Sequence, residues 1–456
     1  MFTFFAPLAA LAYFILYIVH IEAVQHLNET KWPSQNFTSV PEFHPPVLEI
    51  TAPEQASKDG YLFFNPGGPA ADQVAPLIMD SDGELVWNGP PGLFTFNFGV
   101  QQYRGEDVLV FWNGTRFPEP KGRGHGNVYI WNKHYEQIAN ISLPGNFLEF
   151  NGERYPSNID LHEHYITGNG TILVLAYNIT MADLRSVGGL AEGWVVEGQV
   201  YEIDIETNEV LFTWNSLEHL DKLPFTDSLY PLGSEGYDGK TQENAWGYFH
   251  HNAVTPFTDG YIISSRYFCS AIAISREGEV LWVLQGRDGG DFQLEGNASF
   301  CYQHDIRVLS SSLDANNSLA SLTISMHDNA NSPIDKNKIP TSGKIFDIDL
   351  ASKTATQTHR YLNTSGLIYG TAQGSHQRMT NGNIFEGAGY VPVMEEFSPD
   401  GTPLCRWTFG TPIRTTEGGF LSPEPENVVL SYRAYKQTWV GCPRTTPDVV
   451  LTKMQA

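Results

Sequence analysis

Short apolar runs separated by Gly, Asp and Asn turns fill this chain, and stretches of helical periodicity are hard to find. Two signatures alternate. The first is a hairpin of apolar strand, tight turn and apolar strand, often ending in Trp. It reads Leu77-Ile-Met-Asp-Ser-Asp-Gly-Glu-Leu-Val-Trp87, then Val128 to Ile138, Gln199 to Trp214, Ile272 to Trp282, Lys344 to Thr354 and Val393 to Trp407. Asp-Gly, Glu-Gly and Thr-Asn occupy turns that demand or tolerate positive φ. The second signature is a single strand, often led by a Gly turn: Asp59 to Phe64, Asp107 to Trp112, Gly170 to Ala176, Gly260 to Ser264, Leu319 to Ile324 and Gly382 to Phe385. Six hairpins alternating with six such strands, with about four strands per unit, predict an all-β fold and a six-bladed β-propeller. Surplus length falls in loops such as Pro224 to Asn244. A pair of β-sandwiches is the alternative, and it leaves the alternating order unexplained.

The ends bound this domain. Met1 to Val24 is almost uninterrupted apolar, with no Lys or Arg, and Ile21-Glu-Ala23 offers a cleavage site. We read residues 1–23 as a signal peptide, with a signal anchor as the alternative. Residues 24–46 form an extended lead-in, 47–445 the propeller and 446–456 a C-terminal tail. Nine Asn-x-Ser/Thr sequons, at Asn28, Asn36, Asn113, Asn140, Asn169, Asn178, Asn297, Asn316 and Asn363, suit a secreted glycoprotein. In that compartment the simplest pairing of the four cysteines is Cys269 with Cys301 and Cys405 with Cys442, with two other connectivities open. Membrane contact is expected only if the N-terminal segment stays uncleaved. The net charge of -24 argues against nucleic-acid binding and requires any anion site to be a local basic pocket.

Four histidines share one place in the repeat: His162 in Asp160-Leu-His-Glu, His250 in Tyr248-Phe-His-His-Asn, His304 in Tyr302-Gln-His-Asp and His376 in Gly374-Ser-His-Gln-Arg. On a propeller this register faces the central channel, so four imidazoles would meet in one cavity. Imidazole serves as nucleophile, acid, base or hydrogen-bond donor near neutral pH, which suits transfer of a charged group. Arg378, Arg266, Arg287 and Arg307 are the nearby cations in sequence, and a guanidinium binds a sulfate or carboxylate through two N–H groups. Asn252 and the aromatics Trp246, Tyr248, Phe249 and Tyr302 are candidates for an apolar wall, or else for blade core. The nearest approach to a metal motif is His162-Glu-His164, and neither metal nor cofactor is expected. No Walker loop and no Gly-x-Ser-x-Gly elbow is present.

The histidine motifs and the Asp-x-Asp-Gly-x-x-x-Trp hairpins are similar to the fungal branch of the arylsulfotransferase family, from about Tyr61 to Phe409. The resemblance implies a six-bladed propeller. It also implies transfer of a sulfuryl group from a phenolic sulfate ester to a phenol, through a histidine and without a nucleotide donor. The partners are then a small aromatic sulfate ester and a phenol. Carried over by motif, His376 is the nucleophile and His250 and His304 are its catalytic partners. His162, Asn252, Arg378, Arg266 and Arg287 are the candidate substrate-binding residues. The family's arginine follows an Asp-Asn segment, which here reads Met326-His-Asp-Asn-Ala-Asn-Ser-Pro333. His327 and Arg378 are the candidates to replace it. A non-catalytic propeller binding a glycan, phenolic or cell-wall partner, and a quinone oxidoreductase, are the competing functions.

Overall fold

A computed structural model describes residues 32–117, 119–145, 154–335, 339–415, 418–421 and 425–444. The signal segment, Asn28 and the C-terminal tail lie outside them. Within the described residues the regular structure is strand, with short 3-10 turns, and no helix is long and apolar enough to cross a membrane.

Six sheets of four or five strands follow one another along the chain, each built on a four-stranded antiparallel meander, and a seventh, small sheet of Ile368–Tyr369, Ile413–Arg414 and Phe420–Leu421 packs beside the sixth. Every second strand is one of the single strands read from sequence, and every third and fourth strand is one of the hairpins. The second sheet shows the plan: Phe96–Tyr103, Glu106–Arg116, Gly124–Trp131 and Gln137–Ile141. The third begins at His164–Ile166, the fourth at His251–Phe257, the fifth at His304–Leu313 and the sixth at Ser375–Arg378. The first sheet is completed from the far end of the chain, because Tyr435–Gln437 pairs beside Tyr61–Phe64. Reciprocally, Glu49–Thr51 adds a strand to the sixth sheet.

Strand alternation explains how the sheets stack. In the fourth sheet Ile263, Ile272 and Ile274 pack on the third, where they meet Leu173, Leu175 and Trp214. Their neighbours Ile262, Ala271 and Ala273 point the other way, to Ile324, Phe346 and Ile348 of the fifth. Both faces are buried, so the strand reads as continuous apolar sequence rather than as an alternation. Similar cores join the first sheet to the second, the second to the third and the fifth to the sixth. The sixth packs back on the first through Phe385, Met394 and Trp407 against Leu62, Phe64 and Met79.

Near the first strands lies a buried ionic cluster. Glu163 accepts from Arg307 at 2.8 and 3.3 Å and from Arg433 at 2.9 and 3.2 Å. Asp305 lies 2.7 Å from Arg307 and 3.3 Å from Arg433, and its second oxygen accepts the His376 backbone N–H at 3.0 Å. Arg433 also donates to the Asn252 carbonyl at 3.1 Å. Five of the six sheets are tied together at this point. Two carboxylates balance two guanidiniums, so the buried cluster carries no net charge. Burial opposes ionisation of Glu163, but the two guanidiniums hold its carboxyl down at about 2.

Cys269 and Cys301 form the expected disulfide, with Cα atoms 4.4 Å apart. The second expected pair does not form: Cys405 and Cys442 are free thiols. Cys405 sits in the core between the sixth and first sheets. The Cys442 backbone N–H instead bonds Lys133 in the turn of the second sheet, so the first sheet stands between the two cysteines.

Candidate functional site

One cleft of about 1300 Å³ opens where the first strands begin. Phe96, His162, His250, His304, Gln373 and Tyr432 reach it from the starts of the six first strands or from the segments just before them. Excursions from the sheets raise its walls. Arg116, Phe117, Glu119 and Lys121 to Arg123 come from the end of the second strand of the second sheet and its connection to the third, Tyr230 to Asn244 from the loop before the fourth sheet, and Tyr369 to Gln373 with Ile413 and Leu421 from beside the sixth.

His162, His250 and His304 therefore meet as the repeat register implied. The Asp160 carboxylate accepts the His162 Nδ1 proton, the His162 backbone N–H at 3.0 Å and the Gly124 N–H at 2.9 Å. That leaves His162 Nε2 as the free end of the ring, 3.1 Å from His250 Nε2. His250 is held well below its ordinary pKa by burial first, then by Arg123, His162, Arg266 and His304 around it, so it is neutral. One hydrogen bond joins the two rings, and His250 Nδ1 is buried without a partner among the described residues. His304 is also neutral, from burial and then from Arg266. Its Nδ1 donates to Asn329 Oδ1 at 2.6 Å. The Asn329 amide is oriented by its own N–H bond to the Gln373 carbonyl, and His304 Nε2 accepts the Gln373 N–H at 3.2 Å.

Two arginines complete the site. Arg266 follows the second strand of the fourth sheet and donates to the Thr371 carbonyl. The Cys269–Cys301 disulfide staples its turn to the segment carrying His304. Arg123 lies over the Tyr177 ring at 4.8 Å and gives one N–H to the Lys121 carbonyl. Both are buried, at 3% and 5% exposure. Arg123 Nε and Nη2 and Arg266 Nε have no partner, and neither residue forms an ion pair among the described residues. Buried cations without carboxylates, in a chain of net charge -24, make a local anion site.

Arg123 was not singled out in the sequence. It stands in Lys121-Gly-Arg-Gly124 with no motif around it, and only the fold brings it to Gly247, where a methyl group would overlap its guanidinium. Other expectations fall elsewhere. His376 does not line the cleft. Its Nδ1 bonds Glu386, whose other oxygen accepts from His327 Nδ1 at 2.8 Å, and this His–Glu–His group is sealed between the fifth and sixth sheets. Arg378 is exposed at the far end of its strand, and Arg287 is exposed in a turn at the outer edge of the fourth sheet. Neither is among the residues that line the cleft. Asn252 is buried behind the site and donates to the Gln303 carbonyl at 2.7 Å. Trp246, Tyr248, Phe249 and Tyr302 are core residues, and the aromatic walls come instead from Phe96, Tyr230, Tyr267 and Tyr432. Of the other sequons, Asn36, Asn140, Asn169, Asn297 and Asn316 are exposed, while Asn113, Asn178 and Asn363 are half-buried.

Residues 99–410 match the family Arylsulfotransferase (ASST). The chain belongs to that family. No curated protein sequence matches it significantly. Among solved structures it is similar to a protein of unknown function from Bacteroides caccae, at 12% identity and TM-score 0.39, over 80% of this chain and 98% of that one. The Malassezia sympodialis allergen Mala s 1 aligns at 10% identity and TM-score 0.34, over 69% and 78%. Trypanosoma rangeli sialidase aligns at 9% identity and TM-score 0.35, over 83% and 58%. The family match covers the segments bearing Arg123, His162, His250, Arg266 and His304, while Tyr432 and Arg433 lie beyond it.

Proposed function

We propose that the protein is a secreted, glycosylated six-bladed propeller that moves a sulfuryl group from an aryl sulfate to a phenol in this cleft. The observation that carries the reading is the pair of buried guanidiniums, with unmatched N–H groups and no carboxylate partner among the described residues, beside neutral histidines in an aromatic-walled cavity. In this reading Arg123 and Arg266 take over the task of the absent motif arginine and hold the sulfate oxygens.

His162 is the nucleophile in this reading, displacing His376 from the role implied by motif. The Asp160 carboxylate fixes its tautomer and stabilises the positive charge that develops on attack. An arriving sulfate ester places a negative charge beside His250, which then takes up a proton and becomes the general acid. His162 Nε2 forms a bond to sulfur, the sulfur–aryl oxygen bond breaks, and the His250 imidazolium protonates the leaving phenolate. Neutral His250 then takes the proton of the acceptor phenol. The acceptor oxygen bonds to sulfur and releases His162.

The test is phenol-dependent transfer from a chromogenic aryl sulfate by purified protein. His162→Ala should lose at least about 10³-fold in rate, with folding intact by circular dichroism. Loss confined to His376→Ala would move the nucleophile back to that residue. Folded protein that binds aryl sulfates without transferring would be a binding module instead.

A further inference from the structure

The inner end of the cleft is cationic, and aromatic side chains recur along its walls. Its two buried cationic groups, Arg123 and Arg266, lie beside the histidines. Its two lining carboxylates, Glu119 and Glu235, lie in the outer excursions, and each accepts a tyrosine hydroxyl, from Tyr237 and Tyr230. Arg116 and Lys121 offset these carboxylates in the same walls. Outward from the histidines, aromatic side chains recur in the lining. The Tyr267 ring meets His250 edge-on at 5.1 Å, and Tyr230 stacks on Tyr267 at 4.4 Å with the planes 6° apart. The Tyr230 hydroxyl is fixed by Glu235 at 2.8 Å, so this platform is set before a ligand arrives. On the other side Tyr432 meets His162 edge-on at 5.7 Å and packs on Phe96 at 5.2 Å. Tyr369 and Tyr390 extend the aromatic lining.

A pocket of about 300–1,000 Å³ is enough for a drug-sized ligand, and this cleft has about 1300 Å³. One benzene ring would fill only the inner end. We propose that the cleft selects aryl sulfates and phenols of several fused or linked rings, with the oxygen of the first ring at the histidines and the outer rings against Tyr267 and Tyr230. This rests on the sulfotransfer reading for its chemistry, but ligand class and chemistry are separable by experiment.

Transfer would be measured to phenol, 2-naphthol and a three-ring phenol, and binding of benzene sulfonate and naphthalene sulfonate by calorimetry. The sulfonates carry the anion but cannot transfer it. The expected gain is about tenfold in kcat/KM, mainly through KM, for each added ring, with naphthalene sulfonate bound more tightly than benzene sulfonate by the same factor. Tyr230→Ala should collapse the three-ring to one-ring ratio towards one, and Tyr230→Phe should restore it. Thermal melts would show that both variants are folded. Equal kcat/KM for all three phenols, or equal binding of the two sulfonates, would overturn the proposal. Tight, ring-dependent sulfonate binding without any transfer would sustain the ligand class and sink the chemistry.

Discussion

Two pairs of arginines, all buried except the half-buried Arg307, lie near one another and have opposite surroundings. Arg307 and Arg433 share two carboxylates, Glu163 and Asp305, and their charge is neutralised within the fold. Arg123 and Arg266 face the cleft with backbone carbonyls and aromatic rings but no carboxylate among the described residues. Removing a guanidinium from water costs several kcal/mol unless something offsets it. In the first pair the offset is internal and the product is rigidity across five sheets. In the second it is incomplete, and an anionic ligand would supply the rest. The same residue type thus serves structure in one place and recognition in the other, and the difference lies in what faces it.

The comparison breaks most sharply at the ionic cluster. Arg433→Gln leaves Glu163 and Asp305 under-compensated in a buried site, and should lower unfolding stability by about 3–5 kcal/mol in urea titrations. A loss under 1 kcal/mol would mean that water reaches the cluster.

Acid tests the same cluster without mutation. Glu163 is depressed to about 2 in the fold, against about 4.3 in an unfolded chain. Its contribution is therefore complete above the unfolded value and lost as pH falls from about 4.3 towards 2, worth about 3 kcal/mol. The histidines act earlier. His164 is held at about 4 and His251 at about 3, each chiefly by burial. The unfolded chain takes up protons near pH 6.5 that the fold does not, so stability should already decline below that pH. Denaturation midpoints from pH 8 to 3 check both windows. A flat profile down to pH 4 would contradict the burial of these rings.

Arg123→Gln and Arg266→Gln should behave in the reverse way to Arg433→Gln. Each removes a buried cation that lacks a carboxylate, so stability should hold or rise. Transfer from an aryl sulfate should drop by about 2–3 kcal/mol in kcat/KM, the worth of a charge-assisted hydrogen bond. Steady-state kinetics beside thermal melts separate the two effects.

The smallest effect is the most direct. Inorganic sulfate at about ten times its Kd should stabilise the wild type by about 1.4 kcal/mol, and should do nothing for the Arg123→Gln, Arg266→Gln double variant. Equal stabilisation of both would place the anion elsewhere.

Much of this architecture was legible in the sequence. Hairpin turns and strand lengths obey local rules, so the second, third and fourth strands of all six sheets fall on the segments read from apolar pattern and turn residues. The common register of His162, His250 and His304 is a repeat property, and repeats carry their register with them. The disulfide between Cys269 and Cys301 closes a local loop.

What tertiary structure alone decided involves residues far apart in sequence whose meeting has no periodicity. The strand Tyr435–Gln437 completes the first sheet from the other end of the chain and brings Tyr432 to the cleft and Arg433 to the ionic cluster. Gly247 leaves the space into which Arg123 turns, and Gly343 leaves the space in which His376 closes on Glu386. His376 resembles the three cleft histidines in its sequence setting, yet it lies inside its strand, Ser375–Arg378, where His162 and His250 precede theirs and His304 opens its own, and Gln373 takes the cleft position. Residue type and spacing determined which groups were available. Through-space packing decided which carboxylates they met, and for buried charges that choice separates a structural pair from a binding site.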